Sequence, residues 1–252
     1  MSTMKSAFPG RAADSERGFT LVELMVTVAI ALFLVGGLMT LVGNVRATYT
    51  NQQALALLQD EQRFAMTVIT DVIQAAGYYP NPVANTETSA LPASGSFAAG
   101  QAIYGTYNAA TPGDTISVRY MTALNDGVIV CNGSSNTTFN PTHAYTNVFS
   151  IVVGAPGSQL MCTLDAAAPV ALVNGVTNLR IYYGVKRNFA FNDYNVDTYL
   201  LASQMLAADW SNISSVRVQL TFTNPLAGQP GQPATITFDR VIQVMGRAGV
   251  HT

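Results

Sequence analysis

The first quarter of the chain contains an uninterrupted apolar run. Leu24 to Gly43 spans 20 residues without a charged side chain, between Glu23 and Arg46. An α-helix rises about 1.5 Å per residue, so this run would extend for roughly 30 Å, the thickness of the hydrocarbon core of a bilayer. The pattern therefore predicts a helix that is long and apolar enough to cross a membrane.

The helical period continues beyond this run. Apolar residues recur at three- and four-residue intervals as far as Ala76, with Gln, Asp and Arg largely between them. Gly77 then provides a C-terminal stop signal. We predict one helix from about Phe19 to about Ala76, apolar all round in its first half and amphipathic in its second half.

The remaining two thirds of the chain are patterned as strands. Residues 81–112 are rich in small and polar residues, which indicates a surface loop with at most short ordered pieces. A turn signal at 125–127 joins the first two predicted strands, one at 154–157 joins the next two, and 198–209 is expected to form a short helix. The predicted strands lie at 116–120, 128–130, 148–153, 159–164, 179–185, 216–222 and 236–244.

This order of elements predicts an α+β fold. One long N-terminal helix would pack its amphipathic half on a largely antiparallel β-sheet. At 252 residues the chain is long enough for one sizeable domain beyond the helix.

The charge balance bears on partners and on orientation. Charged residues make up 10% of the chain and the formal net charge is −2, far from the basic balance of a nucleic-acid binder. Lys5, Arg11 and Arg17 precede the apolar run. The positive-inside tendency therefore places the N-terminus in the cytoplasm and the bulk of the protein outside.

Two ordinary explanations of such an N-terminus are a cleaved secretory signal and a plain signal anchor. A cleaved signal has an apolar region of about 7–15 residues and an Ala-x-Ala-like site, and this chain has neither. A plain anchor remains open, but it does not account for Gly18-Phe19 or for Glu23. A carboxylate at the edge of a membrane helix is costly and usually has a partner.

The run Gly18-Phe19-Thr20-Leu21-Val22-Glu23-Leu24-Met25-Val26 resembles the type IV prepilin processing motif. The resemblance implies that a prepilin peptidase cuts after Gly18 and N-methylates Phe19, and that the mature helix packs in the core of a filament. It also implies that Glu23 pairs with the N-terminal amine of a neighbouring subunit. An α-amine has a pKa near 8 and is mostly protonated at neutral pH, so the pair would compensate two charges in apolar surroundings.

The resemblance also suggests how the chain is divided. Residues 1–18 would be the leader, 19–45 the transmembrane and filament-core half of the helix, 46–77 its amphipathic half, and 78–252 a β-rich periplasmic domain. The leader carries three basic and two acidic residues, so its removal takes the net charge from −2 to −3. Many major pilins have a proline where this chain has Thr40, so local melting of the helix is not predicted from the resemblance.

Further patches resemble the PilW-like minor pilins, which are related to GspJ-like pseudopilins. The resemblance implies a low-abundance subunit that helps to initiate pilus assembly near the fibre tip, in contact with other minor pilins, the major pilin and the assembly machinery. The patches are Arg63-Phe64, 71–78, 176–184, 210–213 and 216–218.

Few other residues suggest a disulfide, a metal site or a catalytic site. Cys131 and Cys162 are 31 positions apart, and in an oxidising compartment we expect a disulfide, the alternative being two buried thiols. The series Asp193-x-Asn195-x-Asp197 resembles the opening of a calcium loop, but Thr198 stands at the usual glycine position, so a polar turn is the better interpretation. We find no catalytic motif and expect neither an enzyme nor a cofactor or metal.

Three hypotheses follow from the sequence. The leading one is a minor pilin, first in the inner membrane as a single-pass protein and then in a pilus at the cell surface, with roles in twitching motility, adhesion or DNA uptake. The second is a minor pseudopilin of a type II secretion system. The third, from a different class, is a membrane-anchored module whose loops bind a surface.

Overall fold

A computed structural model of the chain describes residues 18–154, 157–188 and 195–247. These residues divide into two compact units, with the boundary between Thr50 and Asn51. The N-terminal unit consists of the start of α1, a 54-residue helix that extends over Leu21–Gln74. All side chains from Gly18 to Thr50 are exposed. Among the described helices, α1 alone is long and apolar enough to cross a membrane.

In the second unit α1 presents one face to the core. Its buried residues recur at three- and four-residue intervals, as the sequence pattern predicts. Gly77 follows the helix with φ +77°, the left-handed conformation of a C-terminal stop, and its N–H donates to the Arg119 carbonyl at 3.1 Å. The buried residues are Leu58, Ala65, Met66, Ile69, Val72 and Ile73.

Two antiparallel sheets complete the second unit, and a four-residue helix, α2 (Glu87–Ala90), precedes them. The first sheet has the order β1-β2-β3-β4-β5 and the second the order β7-β6-β8-β9. The predicted α+β class is therefore confirmed, with two sheets where the sequence pattern suggested one. The strands are β1 (Ile103–Thr106), β2 (Thr115–Ala123), β3 (Thr142–Val152), β4 (Gln159–Leu164), β5 (Val170–Asn174), β6 (Val176–Val185), β7 (Thr198–Leu200), β8 (Ile213–Thr223) and β9 (Thr235–Gln243).

A buried carboxylate joins the two sheets. Asp114, immediately before β2, is 2% exposed, and its Oδ1 accepts from Nη1 of Arg180 on β6 at 2.8 Å. Its Oδ2 accepts from the Ile181 N–H at 2.9 Å. Gly113 forms a parallel bridge with Leu179, and a Cβ at Gly113 would lie 2.2 Å from the Leu179 carbonyl oxygen. The close approach of the sheets therefore requires glycine at this position.

The predicted strand 128–130 is wrong. β2 pairs with β3 instead, in a register that places Tyr120 opposite Tyr145, and Ile129 forms only an isolated bridge with Ser135. In the segment that connects β2 and β3, side chains form hydrogen bonds with backbone groups that would otherwise pair with a neighbouring strand. The Tyr120 hydroxyl donates to the Ile129 carbonyl at 2.8 Å, and the Cys131 N–H donates to Oδ1 of Asn147 at 2.8 Å.

The predicted helix at 198–209 is also wrong. Its first residues form β7, which pairs with the end of β6 so that Tyr199 lies opposite Gly184. Short 3-10 turns follow at Ala202–Gln204 and Asp209–Ser211. The Asp209 carboxylate accepts from the Leu206 N–H and pairs with Arg187, so this segment is held by side-chain contacts rather than by α-helical hydrogen bonds.

Candidate processing and assembly site

The first turn of α1 is closed by a reciprocal pair of hydrogen bonds between Thr20 and Glu23. The Glu23 N–H donates to the Thr20 hydroxyl at 3.3 Å, and Oε2 of Glu23 accepts from the Thr20 N–H at 3.3 Å. The Thr20 hydroxyl also donates to Oε2 of Glu23 at 3.2 Å. This is a capping box, in which the two side chains satisfy backbone groups that the helix itself leaves unpaired. The sequence prediction missed Thr20, although its Thr-x-x-Glu spacing is the usual signal for such a box.

Gly18 and Phe19 lie immediately before this cap and are exposed. The Phe19 side chain is 82% exposed. A Cβ built on Gly18 would meet no atom of the described residues within 4 Å. The conformation of the chain therefore makes no demand for glycine at position 18, and any such demand must come from a protein that binds this segment.

In the apolar part of α1 that follows the cap, two threonine hydroxyls form hydrogen bonds with backbone carbonyls. The Thr27 hydroxyl donates to the Leu24 carbonyl at 2.9 Å, and the Thr40 hydroxyl donates to the Gly36 carbonyl at 3.0 Å. Such back-bonding satisfies a polar side chain inside an apolar segment. Thr40, at the position where many pilins have proline, thus lies within a continuous stretch of α1.

Two family models match the chain. Residues 14–39 match the prokaryotic N-terminal methylation motif, and residues 148–241 match the type IV pilus-assembly protein W model, PilW. Over 245 residues the chain is 28% identical to the pilin-like protein PilA3 of Thermus thermophilus, a similarity that covers 92% of this chain and 91% of that protein. The chain is therefore similar to type IV pilin-like proteins, in its N-terminal motif and over most of its length. Its N-terminal helix and methylation motif associate it with membranes and pili.

A solved structure, a type IV-like pilin from Thermus thermophilus, also resembles the chain. The similarity covers 74% of this chain and 95% of that one, with 14% identity and a TM-score of 0.43. At that level it adds nothing to the assignment, which depends on the sequence matches. The methylation-motif match includes Gly18, Phe19 and Glu23, and the PilW match extends from β3 to β9 and includes the predicted patches at 176–184 and 210–218.

The structure brings the two cysteines together. Cys131 and Cys162 form a disulfide, with their Cα atoms 5.9 Å apart, and both are buried. Cys162 lies on β4, and Cys131 lies in the long connection between β2 and β3. The bond therefore anchors to the first sheet a segment that contains no strand of its own.

The calcium candidate is only partly described. Asp193 lies outside the described residues, and Asn195 lies at the start of a described segment. Both carboxylate oxygens of Asp197 accept from the Arg187 N–H, at 2.9 and 3.1 Å, and Oδ2 also accepts from the Asn188 N–H at 2.5 Å. Within the described ranges, no group of three or more His, Cys, Asp or Glu side chains is placed to hold a metal ion. Asp197 thus serves as a backbone acceptor in this structure.

Proposed function

We propose that this protein is a minor pilin that takes part in initiating the assembly of a type IV pilus and sits at or near the tip of the fibre. The observation that carries this proposal is the presence, in one chain, of a methylation motif, an exposed apolar helix and a PilW domain. A plain membrane anchor would require neither the motif nor the carboxylate of Glu23.

The proposed maturation begins at the exposed segment before the helix. A prepilin peptidase in the inner membrane cleaves after Gly18 and methylates the new N-terminus at Phe19. Both residues are exposed, and this supports access by the enzyme. Cleavage removes the leader and leaves a charged secondary amine four residues before Glu23.

Assembly then gives Glu23 a second partner. In the described chain its carboxylate faces the Thr20 N–H and hydroxyl. One carboxylate has about four acceptor sites, so it can keep the cap while it accepts the Phe19 amine of a neighbouring subunit. The pair compensates two charges in the apolar interior of the fibre, where either alone would be costly.

The proposed cleavage and assembly also imply where the protein is located and which partners it contacts. Before assembly the protein crosses the inner membrane once, with its N-terminus in the cytoplasm and its PilW domain in the periplasm. After assembly it contacts other minor pilins, the major pilin and the assembly machinery. Mild cross-linking of intact fibres would identify these neighbours.

Deletion of the gene tests the proposal directly. We expect the deletion strain to lose surface pili and twitching motility, and we expect the wild-type gene to restore both. Normal piliation with intact twitching would contradict the proposal. If pili were normal but the secretion of folded proteins were lost, the chain would instead be a minor pseudopilin of a type II secretion system.

A further inference from the structure

A polar groove of about 510 Å³ lies on the outer face of the first sheet. Its floor is formed by side chains of β1, β2 and β3 that point away from the core, and the register places Thr106 opposite Thr115 and Tyr104 opposite Ser117. Its wall is the turn at 94–97, where Ser94 and Phe97 exchange two backbone hydrogen bonds of 3.1 and 3.0 Å. We call this surface the hydroxyl groove.

A buried arginine fixes the wall of the hydroxyl groove. Arg119 lies on the same face of β2 but is 3% exposed, because segment 91–101 covers it. Its guanidinium donates four hydrogen bonds of 2.6–3.1 Å to backbone carbonyls of that segment and lies 4.7 Å from the centre of the Phe97 ring. The wall is therefore held in place before any ligand arrives, which lowers the entropic cost of binding. The four carbonyls belong to Leu91, Pro92, Ala98 and Gln101.

The lining of the groove identifies a class of ligand. Six hydroxyl groups of Ser and Thr line it, those of Ser94, Ser96, Thr106, Thr115, Ser117 and Thr146. Those of Thr106 and Thr115 bond to each other at 2.7 Å, and within the described part of the chain the other four make no hydrogen bond to protein. Hydroxyls both donate and accept, so the array matches a ligand that is itself rich in hydroxyls.

Two further features narrow the class to neutral sugars. Among the described residues of the lining, Asp165 is charged and none is basic. Its carboxylate accepts from the Thr146 N–H at 2.8 Å and bonds to His143 at 3.0 Å. An anionic ligand would therefore meet the like charge of Asp165 and would find no cationic side chain in the described lining with which to pair. Tyr104 adds an aromatic ring, which offers an apolar surface to the C–H face of a pyranose.

We propose that the hydroxyl groove binds a neutral oligosaccharide. Its volume lies within the range of about 300–1,000 Å³ of small-ligand sites, although its lining is more polar than that of most of them. Hydrogen bonds from the ligand would satisfy the serine and threonine hydroxyls that have no protein partner among the described residues. The inference does not depend on pilus assembly, because every residue in it lies in the second unit.

Saturation-transfer difference NMR on the full chain, in a detergent without a sugar headgroup, tests this inference. The probes are maltotriose, cellotriose and tri-N-acetylchitotriose. We expect saturation transfer to at least one of them, and an affinity about tenfold lower in the double variant Ser117→Val, Thr146→Val, because two neutral hydrogen bonds are lost. The control is Ser150→Val, a hydroxyl on the same face of β3 that does not line the groove.

Two results would overturn the inference. The first is the absence of saturation transfer to all three probes in wild-type protein whose fold is verified by circular dichroism. The second is transfer that is equally strong in the double variant and in the Ser150→Val control.

Discussion

Replacement of Glu23 by glutamine separates the observed contact of the carboxylate with Thr20 from its proposed pairing with an amine. A glutamine at this position keeps an acceptor oxygen for the Thr20 N–H, and Gln is as usual as Glu in a capping box. What it removes is the negative charge. Glu23→Ala removes both the acceptor and the charge, and Thr20→Ala weakens the cap while the charge stays.

The expected magnitudes differ enough to decide between the roles. Loss of a capping side chain costs about 0.5–2 kcal/mol. An amine left unpaired in the apolar core of a fibre costs about 3–5 kcal/mol, which at about 1.4 kcal/mol per factor of ten corresponds to a loss of more than 100-fold. We therefore expect Glu23→Gln to fail in incorporation almost as completely as Glu23→Ala, and Thr20→Ala to be incorporated at a reduced but measurable level.

The assay is a quantitative immunoblot of sheared pili and of membranes from the same cells, with leader cleavage followed by gel mobility. Cleavage should proceed in all three variants, because the substitutions lie beyond Gly18-Phe19. Normal incorporation of Glu23→Gln, together with failure of Glu23→Ala, would refute the charge pair and leave helix capping as the role of Glu23.

Three other substitutions test separate parts of the structure. Gly18→Ala should leave the fold unchanged, since its Cβ would meet no atom of the described residues within 4 Å, but it should block leader cleavage. A gel band at the position of the cleaved form would contradict this. The double variant Cys131→Ala, Cys162→Ala should lower the free energy of unfolding by about 3–4 kcal/mol, measured by urea denaturation of the full chain in detergent. An unchanged midpoint of denaturation would argue against the disulfide. Arg119→Met should lower the free energy of unfolding by at least about 3 kcal/mol in the same assay, because four backbone carbonyls lose a charged donor. It should also increase proteolysis within 91–101. A wild-type cleavage pattern there would show that Arg119 does not hold the segment.

Much of the fold could be predicted because its signals are local. The three- and four-residue period identifies α1 to within two residues at each end, and β4 was predicted at its observed bounds. The 128–130 prediction failed because an apolar triplet after a turn signal is typical of a hairpin. In the structure the Ile129 carbonyl instead accepts from the side chain of Tyr120 on β2, and the adjacent Cys131 N–H donates to the side chain of Asn147 on β3. No local pattern indicates the division into two sheets or the contact by which Asp114 joins the first sheet to β6 of the second.

The processing site and the hydroxyl groove also differ in how far the sequence predicts them. Gly18, Phe19 and Glu23 could be identified from a contiguous motif, and Thr20 could have been found from its spacing to Glu23. The hydroxyl groove could not be predicted. Its wall is joined to β2 by the buried guanidinium of Arg119, whose bonds to the carbonyls of Leu91, Pro92 and Ala98 span 21 to 28 positions of sequence. In the sequence Arg119 is one polar residue in an alternating strand.

Mass spectrometry of purified pili tests the central claim most directly. If the protein is a processed minor pilin, peptides of this chain should be present at low abundance in the fibres, and the most N-terminal one should begin with N-methylated Phe19. Absence of the chain from fibres of a piliated strain that expresses it, or a chain in the fibres that still carries residues 1–18, would contradict the account.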